Sequence, residues 1–169
     1  MKENIGIVGA GICGLSSALA LSKHDNSITI YERDSAPPAG SPDEAFFDWS
    51  RRGAAQFRHP HAFLGVMCNL LQENYPELVQ KLWEAGARKI SFEEMVPDEL
   101  KKAYVPQPDD KQMWLLMCRR ATMESVLRKY VEEIPSITIL SKHEVVATEF
   151  ELRGSTISLQ GLQVRENRG

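Results

Sequence analysis

The sequence predicts an α/β fold built on a parallel sheet, and three observations carry the prediction. Residues 4–34 run strand, glycine-rich turn, helix, strand and acid. Residues 113–140 give a second strand–helix–strand order after a long, mostly helical stretch. From Val146 onwards, apolar and polar residues alternate as in half-buried antiparallel strands.

Taken in order, Asn4 to Val8 is a short buried strand that runs straight into Gly9-Ala10-Gly11-Ile12-Cys13-Gly14. From Ile12 to about Lys23 the spacing turns helical, with Ile12, Leu15 and Leu19 on one face. Ser27 to Tyr31 is a second strand, ending in Glu32. Ser35 to Pro42 holds Pro37, Pro38, Gly40 and Pro42 and is a loop. A basic, polar segment, Arg51 to His61, precedes a strong helix over Phe63 to Asn74. Pro76 opens the next helix at its first position, Leu78, Val79, Leu82 and Trp83 form its apolar stripe, and Gly86 closes it. Glu93 to Tyr104 is a helical stretch broken around Pro97, and Pro106 to Asp110 is a surface turn. Met113 to Cys118 is a buried strand ending at Arg119-Arg120. The helix after it carries Met123, Val126, Leu127, Tyr130, Val131 and Ile134 toward a core. Ser136 to Leu140 is a parallel-type strand. Val146, Thr148, Phe150 and Leu152 then alternate with Glu149, Glu151 and Arg153. Gly154-Ser155 turns the chain, and a phase slip at Gly161 predicts a bulge before Leu162 and Val164.

Each part of the first segment has a physical task. Gly9 permits the tight turn out of the strand, Gly11 lets a pyrophosphate approach the backbone, and Gly14 lets the helix sit close to the sheet. The helix N-terminus offers N–H groups, those of Ile12 and Cys13 first, and the positive end of its dipole. Glu32, at the end of the second strand, is placed to accept the hydroxyls of an adenosine ribose. With strand, helix and acid all in place, the glycine motif reads as a Rossmann-like dinucleotide site. It does not separate FAD from NAD. Glu32 would repel a 2′-phosphate, an argument that Arg33 weakens.

Composition narrows the classes. With 20 Lys and Arg against 23 Asp and Glu, the net charge is -3, and no basic surface for nucleic acid is expected. At 43% hydrophobic the chain can build a core. No apolar run reaches the roughly 20 residues that span a bilayer, and the glycines of the N-terminal stretch argue against a signal segment. Cys13, Cys68 and Cys118 are odd in number and widely spaced, so neither a disulfide framework nor a zinc site is expected, and a reduced, cytoplasmic protein is. His59 and His61, with no nearby Cys or acid pair, make a poor metal site.

With Glu32-Arg33-Asp34, Gln56-Phe57-Arg58-His59-Pro60-His61-Ala62-Phe63-Leu64 and Cys118-Arg119-Arg120-Ala121-Thr122-Met123-Glu124-Ser125-Val126-Leu127-Arg128, the chain resembles the class A flavoprotein monooxygenases, the superfamily of FAD-dependent aromatic hydroxylases and flavin halogenases. The resemblance implies a Rossmann-like FAD/NAD(P)-binding domain with a helical insertion and a partial antiparallel meander. On that reading 1–34 is the dinucleotide motif, 43–110 the insertion, 111–142 a strand–helix–strand unit and 143–169 an incomplete meander. It implies FAD at Gly9, Gly11, Ile12, Cys13, Gly14, Glu32 and Arg33, Arg120 toward the ribityl and phosphate region, and NAD(P)H as co-substrate for oxygenation of a small organic molecule. Arg119 is read as solvated, and His59 and His61 as flavin or channel neighbours or plain loop. The family's later Asp-Gly and Gly-Asp motifs do not occur, so a truncated module, incomplete as a catalyst, is expected. Leu162 to Arg165 would then lack a partner strand, leaving an exposed sheet edge open to self-association. The alternatives are a non-catalytic nucleotide-binding or interaction module and an NAD-dependent dehydrogenase fragment.

Overall fold

The structure is a computed structural model that describes residues 2–54 and 56–167. In chain order it contains β1 (Asn4–Val8), α1 (Ile12–Leu21), β2 (Ser27–Glu32), α2 (Pro42–Asp48), β3 (Pro60–Phe63), α3 (Gly65–Asn74), α4 (Pro76–Glu84) and β4 (Arg88–Ser91). There follow α5 (Phe92–Met95), α6 (Asp98–Lys101), a 3-10 turn (Pro108–Gln112), β5 (Trp114–Arg119), α7 (Arg120–Glu132), β6 (Ile137–Ser141), β7 (His143–Arg153) and β8 (Thr156–Glu166). The chain divides into two compact units. One comprises Met1–Pro38, Trp49–Gly53 and Leu127–Gly169, the other Ala39–Asp48 and Ala54–Val126.

The first unit holds a parallel sheet in the order β1-β2-β6, with Ile5 opposite Ile28 and Ile28 opposite Ile137. Leu15, Ala18 and Leu19 of α1 are buried, as are Ile28, Ile30 and Ile137 of the strands. Burying each such Leu or Ile contributes about 1.5–3 kcal/mol. Asn26 joins the turn before β2 to α1 by donating its side-chain N–H to the Leu21 carbonyl at 3.1 Å.

The same unit carries β7 and β8 as an antiparallel ribbon. Gly154, at φ +64°, makes its turn. Phe150 faces Leu159 and Leu152 faces Ile157, so one surface of the ribbon is apolar, while Glu149, Glu151 and Ser158 occupy the other. The expected slip is present: Glu149 pairs with Gly161 and Phe150 with Leu159, leaving Gln160 as the extra residue of a bulge. Leu162 Cδ1 lies 3.3 Å from the point where a Cβ on Gly6 would stand, so this end of the ribbon rests on β1. Phe150, Leu152, Ile157 and Leu159, farther out, are 59–68% exposed. Residues 162–165, expected to lack a partner, pair with β7 on one side, and no strand follows on the other among the described residues. The polar, glycine-ended stretch 166–169 reads in the sequence as a hairpin turn; it falls partly on residues 168–169, outside the described residues, while Glu166 itself ends β8.

The second unit is built on an antiparallel sheet in the order β3-β5-β4. Here expectation and structure part in three places. Phe63 does not begin a helix: Pro60–Phe63 is a strand that pairs with β5, and α3 starts at Gly65. Residues 88–91, not recognised as a strand, pair along the other edge of β5. The buried strand expected at 113–118 exists as β5, in this antiparallel sheet and not beside β6. In short strands the partner, more than the local sequence, fixes the conformation. Cys68, Leu71, Leu78, Val79, Leu82, Trp114 and Leu116 form this unit's core. Within it Trp114 Nε1 donates to Asn69 Oδ1 at 2.7 Å.

Residues 121–128 of α7 are buried on every side, including Glu124 at 0% and Arg128 at 1% exposure. Arg128 donates through Nε to Glu132 at 2.9 Å and through Nη2 to Ser141 Oγ at 2.7 Å. Among the described residues, no helix is long and apolar enough to cross a membrane.

Candidate functional site

The turn after β1 has the geometry a phosphate requires. Gly9, at φ +96°, reverses the chain, and its N–H donates to the Tyr31 carbonyl at 2.8 Å. Gly11 is extended and stands at the helix N-terminus without a side-chain cap. The first helical bond runs from Leu15 N–H to the Gly11 carbonyl at 3.0 Å, so the amides of Ile12, Cys13 and Gly14 precede the ladder and point out of the helix end. Gly14 is compulsory for packing. A Cβ there would lie 1.9 Å from the Gly9 carbonyl oxygen and 3.3 Å from Ile7 Cγ2. Cys13 is exposed.

Glu32 is brought to this turn and is only 4% exposed. Its Oε2 accepts the Ala10 N–H at 2.7 Å and its Oε1 accepts the Asp34 N–H at 2.9 Å. Arg51 Nη1 lies 2.8 Å from Oε2 and 3.6 Å from Asp34 Oδ2. Burial pushes the Glu32 carboxyl up. The Asp34 N–H, the Arg51 guanidinium and the Ala10 N–H outweigh it and hold the group below its ordinary 4.5. The carboxylate is therefore ionised at neutral pH, and Oε1, with the Asp34 N–H as its one partner here, keeps acceptor capacity for a hydroxyl.

Two residues of this cluster, Trp49 and Arg51, were not singled out from the sequence, and Asp34 entered there only as part of the Glu32-Arg33-Asp34 motif. Asp34, 5% exposed, accepts the Arg52 backbone N–H at 3.1 Å and its Nε–H at 3.0 Å. Arg51 lies over the Trp49 ring at 5.0 Å, and Trp49 Nε1 donates to the Ser35 carbonyl at 2.9 Å. Arg51 Nη2 also stands 3.8 Å from the place a Gly11 Cβ would fill, which sets a guanidinium over the turn. The signal was the Arg51-Arg52 pair, visible in the sequence only as part of a basic segment.

The other expected site residues fall as follows. Arg33 is exposed, its carbonyl accepts Asn167 Nδ2 at 3.3 Å, and its guanidinium passes Gly53. Arg120 belongs to the second unit, where Nε donates to the fully buried Glu124 at 2.7 Å and its N–H reaches the His59 carbonyl at 3.3 Å. Arg119, the less favoured of the two arginines as a cofactor partner, pairs at the surface with Asp43 and lies 4.6 Å over the Phe46 ring. His61 points Nδ1 at the His59 carbonyl, 3.0 Å away, and stacks on Phe63 with centroids 6.1 Å apart. Among the described residues there is no group of three or more His, Cys, Asp and Glu side chains arranged for a metal.

Residues 7–76 match the family described as NAD(P)-binding Rossmann-like domain. No curated protein matches the chain. Among solved structures, the chain is similar to THI4 of Thermovibrio ammonificans, with TM-score 0.58 and 13% identity over 98% of this chain and 48% of that one. It is similar to PqsL of Pseudomonas aeruginosa, described as a probable FAD-dependent monooxygenase, with TM-score 0.58, 12% identity and coverage of 99% and 40%. It is also similar to p-nitrophenol 4-monooxygenase PnpA of Pseudomonas putida DLL-E4, with TM-score 0.54, 16% identity and coverage of 97% and 39%. The resemblance to flavin-dependent monooxygenases thus holds at the level of fold, and the chain spans less than half the length of each of these proteins.

Proposed function

We propose that the first unit binds FAD, as the nucleotide-binding part of a flavin-dependent oxidoreductase that uses NAD(P)H to oxygenate a small organic molecule. One observation carries the reading: the N-terminus of α1 and the buried, ionised Glu32 converge on the Gly9–Gly14 turn. The pyrophosphate would be received by the amides of Ile12 to Gly14 and by Arg51, and the adenosine ribose by Glu32. The fit is supported by the bare N-cap at Gly11 and by the guanidinium above it. Bound flavin would supply the redox chemistry; these residues bind and orient. The likeness to PqsL, described as a probable FAD-dependent monooxygenase, favours FAD over NAD.

The test is titration of the purified chain with FAD and separately with NAD, followed by calorimetry and by the visible flavin spectrum. FAD is expected to bind more tightly. Glu32→Ala should weaken it about tenfold to a hundredfold, the loss of about 1.5–3 kcal/mol for a hydrogen bond to a charged group. Tighter binding of NAD, or binding of neither, overturns the reading.

A further inference from the structure

The β7–β8 ribbon carries an apolar face that lies open. Two cross-strand pairs stand on it, Phe150 opposite Leu159 and Leu152 opposite Ile157. All four side chains are exposed, from 59% at Phe150 to 68% at Ile157. The other face is polar and bonded to itself. Arg153 donates through Nε and Nη2 to Glu151 Oε2 at 3.0 and 2.9 Å, and Gln163 Nε2 donates to Glu149 Oε1 at 3.1 Å. Strand pairs divided in this way bury the apolar side against something. A two-stranded ribbon is also marginal in water without such cover.

Three properties select a second copy of this chain as the cover. The first is charge. None of the four residues on the face is ionisable, so two copies meet there without stranding an ion, whereas a charged partner surface would find nothing to pair with. Association edge to edge is opposed instead, by Glu144, Glu149 and Glu151 along β7 and by the Gln160 bulge in β8. The second is area. Four large side chains in this state of exposure leave roughly 400–500 Å² of apolar surface per copy, at the upper end of what a monomer shows in one patch. Two copies would bury about 800–1,000 Å² before any polar rim is added, and specific interfaces begin at about 1,200 Å² in total. The third is symmetry. A half-turn about an axis that lies in the face, across the strands, reverses the ribbon end for end. It seats Leu152 on Phe150 of the second copy and Ile157 on Leu159 of the second copy, and the same contacts recur in the opposite sense.

We propose that the chain forms a closed two-fold dimer in which the apolar faces of two β7–β8 ribbons pack face to face and end for end. The two ribbons would lie about 10 Å apart, as packed sheets do. The proposal is independent of the nucleotide-binding reading.

The test is sedimentation equilibrium of the whole chain from about 1 to 200 μM, a range that brackets the micromolar dissociation constant expected for an interface of this size. A monomer–dimer equilibrium that stops at two copies is expected. Phe150→Thr with Ile157→Thr should raise the dissociation constant about a hundredfold or more. Leu64→Thr with Val66→Thr, which removes exposed apolar groups from the second unit, should leave it unchanged. Ile157→Lys and Leu159→Glu should each give a monomer. Mixed one to one, these two variants should form a heterodimer, because the new lysine would face the new glutamate. Far-UV circular dichroism of each variant, expected to match the parent, separates lost association from lost fold. A parent chain that stays monomeric at 200 μM overturns the proposal, as does open-ended aggregation. Equal loss of association in L64T/V66T, or I157K and L159E that stay monomeric when mixed, overturns it as well.

Discussion

Gly14 leaves no room for a side chain, because the neighbour it would strike is backbone, which cannot rotate away. Gly14→Ala is expected to cost about 3 kcal/mol and to displace the turn, read as a lower midpoint in denaturant and loss of nucleotide binding. Arg51 is bound differently, through charge. Its side chain and that of Glu32 are 7% and 5% exposed, so Arg51→Met strands a buried carboxylate and should cost about 3–5 kcal/mol. The double variant Arg51→Met with Glu32→Gln should be less damaged than the sum of the two singles, checked by a denaturation cycle. The thiols diverge as well. Burial raises the Cys68 thiol, and burial pushes Cys118 up to about 12, whereas Cys13 is exposed. A maleimide at neutral pH should label Cys13 first, and 5′-ADP should slow it. At this scale the sequence made the glycines and Glu32 legible because their partners are local or lie on the adjacent strand. Arg51 was not legible, since its role arises only when the segment at 49–52 folds back onto the end of β2.

Among the elements, periodicity located those whose own sequence determines them: β1, α1, β2, α4, α7, β6 and the ribbon with its bulge. It missed β3 and β4, each four residues long and held by β5. Ala62 and Phe63 were absorbed into the neighbouring helical pattern because four residues are too few to show an alternation. The ribbon β7–β8 has a readable consequence. Its outer apolar surface, with Phe150 and Ile157 at 59% and 68% exposure, supports little of the core. Phe150→Thr with Ile157→Thr should lower self-association in sedimentation while leaving the thermal midpoint within a degree or two, since surface changes of this kind usually stay within about 0.5 kcal/mol.

For the whole molecule, the net charge of -3 and a pI of about 5.8 predict least solubility in mildly acidic buffer. Stability should follow Glu32. Its pKa is lower in the folded chain than the ordinary 4.5, so the native state binds this proton less readily than the unfolded one. The contribution is present above about pH 4.5 and disappears as pH falls through the folded value. Denaturant midpoints measured downward from neutral pH should decline below about 4.5, and Glu32→Gln should flatten that part of the curve.

The three tryptophans are divided between the units. Trp83 and Trp114 sit 6.1 Å apart in the second, and Trp49 alone lies in the first, 2% exposed beneath Arg51. With Trp83 and Trp114 replaced by phenylalanine, the remaining indole becomes a built-in optical reporter of the nucleotide turn. Its emission would register any ligand that draws the guanidinium off the ring, with no dye attached and before any turnover is measured.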